Sequence, residues 1–226
     1  DISEGISLAV VKDQPYGAKV NWTDGEARES NGAVSYNGVK ADIKSDATTL
    51  LMSYDVQNNV TVYGGIKSQS ISATNSNPVA AYYTISSNTD SSIGYVLGAA
   101  VEKPEIAMRI SLTYHSKVGH DLDIVETNLA QVAALPSPHS TTMSFETPEA
   151  FNLDFQTGIA QNTLLFGTIR HVKWTQFELR PTIYNGLTVG SALKDYDNNV
   201  TTYSLGLGRK LNDQWSAAVT YGTEAA

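Results

Sequence analysis

The 226-residue chain carries a formal net charge of −8 and no cluster of Lys or Arg, which argues against a nucleic-acid partner. It has no cysteine, hence no disulfide framework and no thiol-ligated metal. No stretch of about 18 apolar residues occurs, which excludes a transmembrane helix but not a membrane β-barrel, whose strands give a much weaker hydropathy signal.

The 17 Gly and 12 Tyr, set among many Ser, Thr, Asn and Val, make a strand-and-turn composition. Ile6, Leu8 and Val10 alternate in a first strand, and Asp13-Gln14-Pro15-Tyr16-Gly17 breaks it. Proline cannot donate to a sheet ladder and glycine weakens one, so the strand is expected to kink or open there. A polar loop is expected over 23–38, then a strand over 39–54 with Leu50, Met52 and Tyr54 on its apolar face. After a turn at Gln57-Asn58-Asn59, Val60, Val62 and Ile66 fall on one face and Thr61, Tyr63, Lys67 and Gln69 on the other. A second polar loop is expected over 74–90.

The clearest hairpin follows. Ile93, Tyr95, Leu97, Ala99 and Val101 share one face of its first arm. Across the Lys103-Pro104-Glu105 turn, Ile106, Met108, Ile110, Leu112 and Tyr114 share a face opposite Ala107, Arg109, Ser111, Thr113 and His115. Each arm is about ten residues, long enough for a tilted strand to cross a bilayer. The second arm has a continuation through His120-Asp121-Leu122-Asp123-Ile124, and a loop is expected over 128–140. A strand-like stretch over 141–160 contains Pro148, and its end alternates Phe151, Leu153, Phe155 and Ile159 against Asn152, Asp154, Gln156 and Gly158. Beyond a turn at Gln161-Asn162-Thr163, Leu165, Gly167 and Ile169 oppose Thr168 and Arg170. A fourth loop is expected over 180–198, and a last hairpin sets Tyr203, Leu205 and Leu207 against Trp215, Ala217, Val219 and Tyr221.

About nine strands result, joined alternately by short turns (near 58, 104, 162 and 212) and long loops (near 25, 82, 133 and 190). That asymmetry marks an all-β, antiparallel transmembrane β-barrel, with aromatics near the strand ends as interfacial girdles. The polar faces become the lumen, where Lys67, Arg109 and Arg170 stand as candidate contacts for a carboxylate-headed solute. No nucleophile elbow or converging Ser/His/Asp set exists, so no enzyme and no cofactor is expected. His120, Asp121 and Asp123 are read as solvated strand residues, not as a metal site.

Several stretches together resemble the outer-membrane long-chain fatty-acid transporter family, the FadL/TodX-type channels. They are Asp13-Gln14-Pro15-Tyr16-Gly17-Ala18, Ile110 to Ser116, Phe145-Glu146-Thr147-Pro148-Glu149, Trp174-Thr175-Gln176-Phe177 and Leu211-Asn212-Asp213-Gln214-Trp215. The resemblance implies a bacterial outer-membrane barrel of fourteen strands closed by an N-terminal hatch. It implies uptake of long-chain fatty acids or other hydrophobic compounds by passive diffusion, with outer-membrane lipid around a monomer. The strands read here match the third to the eleventh, so residues 1–226 are expected to be one incomplete barrel domain, an internal fragment without the hatch. The resemblance also implies a lateral opening at Asp13, Gln14, Pro15 and Gly17, and head-group contacts nearest to Lys67 and Arg180. A competing expectation is a structural or adhesive outer-membrane or secreted β protein that binds through its long extracellular loops.

Overall fold

The computed structural model describes residues 4–22, 38–56, 59–77, 83–128 and 137–225. Its strands are β1 (Ile6–Asp13), β2 (Gly17–Asn21), β3 (Lys40–Val56), β4 (Val60–Asn77), β5 (Tyr83–Ser87), β6 (Asp90–Lys103), β7 (Met108–His115), β8 (Val118–Thr127), β9 (His139–Thr147), β10 (Ala150–Ala160), β11 (Thr163–Val172), β12 (Val200–Lys210) and β13 (Ser216–Ala225). All thirteen join one antiparallel sheet. Two tiers are visible in it.

The wall tier runs in the order β1/β2, β3, β4, β6, β7, β10, β11, β12, β13. With β1 and β2 taken as one broken strand, these are the nine strands expected from the alternation. Each has an apolar outer face: Ile66 is 61% exposed and Leu112 53%, while Lys67, next to Ile66 in sequence, is 5% exposed. Apolar side chains outward and polar ones inward invert the pattern of a soluble protein and fit a wall bathed in lipid. The register confirms the last hairpin, with Leu205 opposite Tyr221 and Leu207 opposite Val219.

The short connections lie at one end. Asn59, Ala107 and Asn162 take the left-handed conformation in them, which the two asparagines adopt readily. Pro104–Ile106 forms a single 3-10 turn before Ala107.

The opposite end is more structured than its polar sequence suggested. The stretch 74–90 is not a loop throughout: β4 continues to Asn77 and β5 pairs with it. Likewise β9 starts at His139, and 180–198 contains α1 (Thr182–Leu187) and is tied back to Leu179 by a bridge from Lys194. Residues 23–37 of the loop expected at 23–38, and most of the loop expected at 128–140, lie outside the described residues.

β5, β8 and β9 leave the wall as an upper tier, β4-β5-β8-β9. The departure has a local cause at each side. β7 ends at His115, and the next residue is Ser116, whose N–H donates to Tyr95 O at 3.0 Å and whose hydroxyl accepts the Tyr95 N–H at 2.9 Å. This hinge presses onto Gly94, where a Cβ would lie 2.6 Å from Val118 Cγ2, so only glycine admits it. On the return, Pro148 separates β9 from β10 because it cannot donate to the ladder. The upper tier buries its own core, with Tyr83, Ile85, Leu122, Ile124, Met143, Phe145 and Ile183 packed together. It forms a cap on the wall.

Candidate functional site

The site is organised by the break between β1 and β2. In β1 the register sets Asp13 opposite Ala47, and in β2 it sets Gly17 opposite Lys44. Residues 14–16 therefore face two residues of β3, one more than a regular ladder holds. This is a β-bulge, and its extra residue exchanges the faces of the strand beyond it. Val11 and Asp13 point into the lumen before the bulge, and Ala18 does so after it. Pro15 suits the gap because no ladder donor is needed there.

Below the bulge lies an open lumenal pocket of about 510 Å³. Asp13, Pro15, Tyr16, Leu51, Tyr63, Lys67, Thr113, His115, Asn152 and Arg170 line it. Tyr63 and Thr113 hydroxyls bond at 2.7 Å, and Arg170 Nη1 donates to Asn152 Oδ1 at 2.8 Å. Lys67 is buried to 5% exposure, yet among the described residues its ammonium has no hydrogen bond and no carboxylate within ion-pair distance. The ammonium opens into the pocket, where Asp13 also stands, and an anion entering from the lumen would find it free to form an ion pair.

Above the bulge lies a second pocket of about 290 Å³ under the cap. Its walls are largely apolar and aromatic, including Ile43, Ile71, Met143, Trp174, Phe177 and Leu193. Trp174 packs against Tyr196 at 4.7 Å between ring centroids, and Tyr16 meets Trp174 edge-on at 5.8 Å. Among the described residues, Lys194 is the one charged residue of the lining, and its Nζ sits 4.0 Å from the Tyr196 ring centroid.

The structure thus brings Lys67, Arg170, Asp13 and Pro15 to one pocket. Gln14 and Gly17 flank them in the bulge, where Gln14 donates to Asp46 Oδ1 at 3.3 Å. Arg109 shares the lumenal face but stands at the short-turn end, paired with Glu102 at 3.1 Å. Arg180 lies in the segment beside α1, exposed, bonded to Glu178 and to the carbonyl of Gly190. His120 faces inward to Asp90 (2.7 Å) and Gln69, while Asp121 and Asp123 face outward to Ser144 and Thr142, so these three do not converge. Lys194 escaped the sequence reading because it lies in a polar stretch with no periodicity to single it out.

A family model described as "Outer membrane protein transport protein (OMPP1/FadL/TodX)" matches residues 1–225. The chain belongs to this family. It is therefore a protein of the bacterial outer membrane. Solved structures agree in fold. A Pseudomonas aeruginosa FadL homologue superposes with a TM-score of 0.70 at 15% identity, covering 97% of this chain and 57% of its own length. The Ralstonia pickettii toluene transporter TbuX gives a TM-score of 0.65 at 12% identity, covering 97% and 65%. The Pseudomonas putida toluene transporter TodX gives 0.59 at 12% identity, covering 97% and 64%. The chain thus spans less than two thirds of the length of these relatives in fold. No curated protein sequence matches it. In the family frame, the two pockets and the bulge between them lie on the lumenal side of an outer-membrane wall.

Proposed function

We propose that the protein containing this chain takes up small hydrophobic molecules across the outer membrane by passive diffusion, and that its substrates include carboxylates such as long-chain fatty acids. The solute enters the aromatic pocket beneath the cap, passes the bulge, and leaves sideways through the wall at Asp13 to Gly17. The observation that carries this reading is Lys67, whose ammonium opens into the inner pocket with no hydrogen bond or ion pair among the described residues, one pocket below an apolar chamber. Apolar walls take the tail, and Lys67 and Arg170 take the head group. Arg170 offers a planar pair of donors and Lys67 a point charge. Lys194 is the cation of the outer pocket among the described residues.

The aromatic lining of the outer pocket also supports monoaromatic hydrocarbons, the compound class named for the CymD channel, which shares the fold at a TM-score of 0.58. One experiment separates the classes. The full-length protein in liposomes is offered labelled oleate, methyl oleate and toluene. Uptake of oleate ahead of its uncharged ester supports the head-group reading. Equal uptake of all three leaves a channel selective for apolarity alone, and uptake of none overturns transport.

A further inference from the structure

We infer that Tyr16 is the gate between the two pockets, a side chain that must swing aside for a solute to pass from the outer chamber to the inner one. The inference rests on the transport reading above and adds to it the step that controls passage. Among the described residues, Tyr16 alone lines both pockets. Its position is not that of an ordinary wall residue, for it belongs to the bulge and lies outside the ladder on either side.

Backbone and side chain are held very differently. Ser45, 3% exposed, accepts the Tyr16 N–H at 3.0 Å and returns its hydroxyl proton to the Tyr16 carbonyl. The main chain is therefore clamped from both sides by one buried hydroxyl. The side chain has one hydrogen bond, from its phenol to the carbonyl of Pro148 at 3.0 Å, and one edge-on contact with the Trp174 ring. Pro148 marks the junction of β9 and β10, so the phenol reaches from the bulge to the opposite lip where the cap joins the wall.

A fixed hinge with a lightly latched arm is a gate. The latch is a neutral hydrogen bond, which water or a passing head group can replace at little net cost. No strand pairing has to break, because residues 14–16 make no ladder. Closed, the ring separates an apolar chamber from a charged one. Open, it joins them beside the Asp13 to Gly17 break, where the exit is proposed.

The test uses the full-length protein in liposomes, with labelled oleate and toluene for uptake and tryptophan quenching for occupancy of the outer pocket. Tyr16→Ala is expected to raise uptake of both probes by about fivefold. Tyr16→Phe, which keeps the ring and loses only the latch, should fall between wild type and Ala. Tyr16→Trp should slow both probes. The sequence has no cysteine, so Tyr16→Cys gives this chain a single thiol. Disulfide-forming reagents of increasing size on that thiol should slow uptake stepwise, and reduction should restore it. Uptake within twofold of wild type in all these variants, while wild type transports, overturns the gate and leaves the transport reading standing. Loss of occupancy in step with loss of uptake in the Phe variant also overturns it, because Tyr16 is then part of the binding wall. A wild-type protein that carries neither probe removes the transport reading and the gate together.

Discussion

The carboxylate of Glu126 in β8 accepts the backbone N–H of Ile183 in α1 at 3.0 Å, across 57 positions of sequence. Glu126 has no exposed surface, and it also accepts the Tyr184 N–H at 3.1 Å and the Tyr83 hydroxyl at 2.8 Å. This side chain therefore ties the segment carrying Leu179, Leu193, Lys194 and Tyr196 to the cap, and those residues wall the outer pocket. Glu126→Gln keeps the size but turns an NH2 group toward donors that need an acceptor. Charge-assisted hydrogen bonds of this kind are worth about 1.5–3 kcal/mol each, and an unmatched buried donor adds to the loss. Hydrogen exchange at the Ile183 and Tyr184 amides should accelerate at least about tenfold in the Gln variant, whereas amides of β11 and β12 should not change. Uniform acceleration along the chain would show that Glu126 supports the whole fold and not this wall.

Tyr83 gives the same junction a pH dependence. Burial raises its phenol well above the ordinary tyrosine range, and the neighbouring Glu126 charge and hydrogen bond raise it further. A group whose value is raised on folding contributes stability that is complete below its unfolded value, about 10 for tyrosine, and is lost as the pH climbs above that. The cap should therefore loosen above about pH 10. Among the described residues, the groups facing Tyr83 are Glu126 and Tyr184, and neither supplies a cation that would stabilise a phenolate. Tyr83→Phe should flatten the alkaline limb of amide exchange at Ile183 while lowering stability at neutral pH by about 1 kcal/mol for the lost hydrogen bond. An alkaline limb equally steep in both proteins would assign it to other groups.

Gly98 sets the shape of the inner pocket through Tyr63. A Cβ at Gly98 would lie 2.2–2.6 Å from atoms of the Tyr63 ring and hydroxyl. The clash is with the far end of a side chain, so the ring moves and the backbone stays. Gly98→Val should therefore break the Tyr63–Thr113 hydrogen bond, cost about 1 kcal/mol, and push the ring into the lumen. Slower uptake of bulky solutes with an intact fold, judged by heat-modifiable mobility in gels, is the expected result. Unchanged uptake would mean that Tyr63 has a second resting place outside the path.

Alternation made the wall legible because a lipid-facing strand repeats its pattern over about ten residues, and each strand repeats the last. The cap was hidden for the opposite reason. Its core enters the sequence as pairs, Tyr83 with Ile85, Leu122 with Ile124, and Met143 with Phe145, each too short to stand out among Ser, Thr and Asp. The break at Pro15 was visible, but the bulge was not, since an extra residue shows only in the pairing of Asp13 with Ala47 and Gly17 with Lys44. Parity also placed Lys67, Arg109 and Arg170 on the lumenal face. It could not by itself give their height along the barrel.

Height decides among those cations, and it follows from counting residues above each short turn. Lys67 stands eight residues beyond Asn59 and Arg170 eight beyond Asn162, whereas Arg109 stands two beyond Ala107. At about 3.3 Å per residue, Lys67 and Arg170 share a level near mid-wall and Arg109 lies close to the turn, where Glu102 already neutralises it. Lys67→Met should weaken oleate binding by about tenfold and leave toluene within about twofold, because only the charged head group loses a partner. Arg109→Met should weaken neither, and Arg180→Met should alter neither by more than the loosening of its contact with Glu178 allows. Equilibrium binding of both probes to the four proteins reads this directly. If Arg109→Met costs oleate as much as Lys67→Met does, the carboxylate rests at the short-turn end of the lumen, and the pocket below the bulge is a passage, not a binding site.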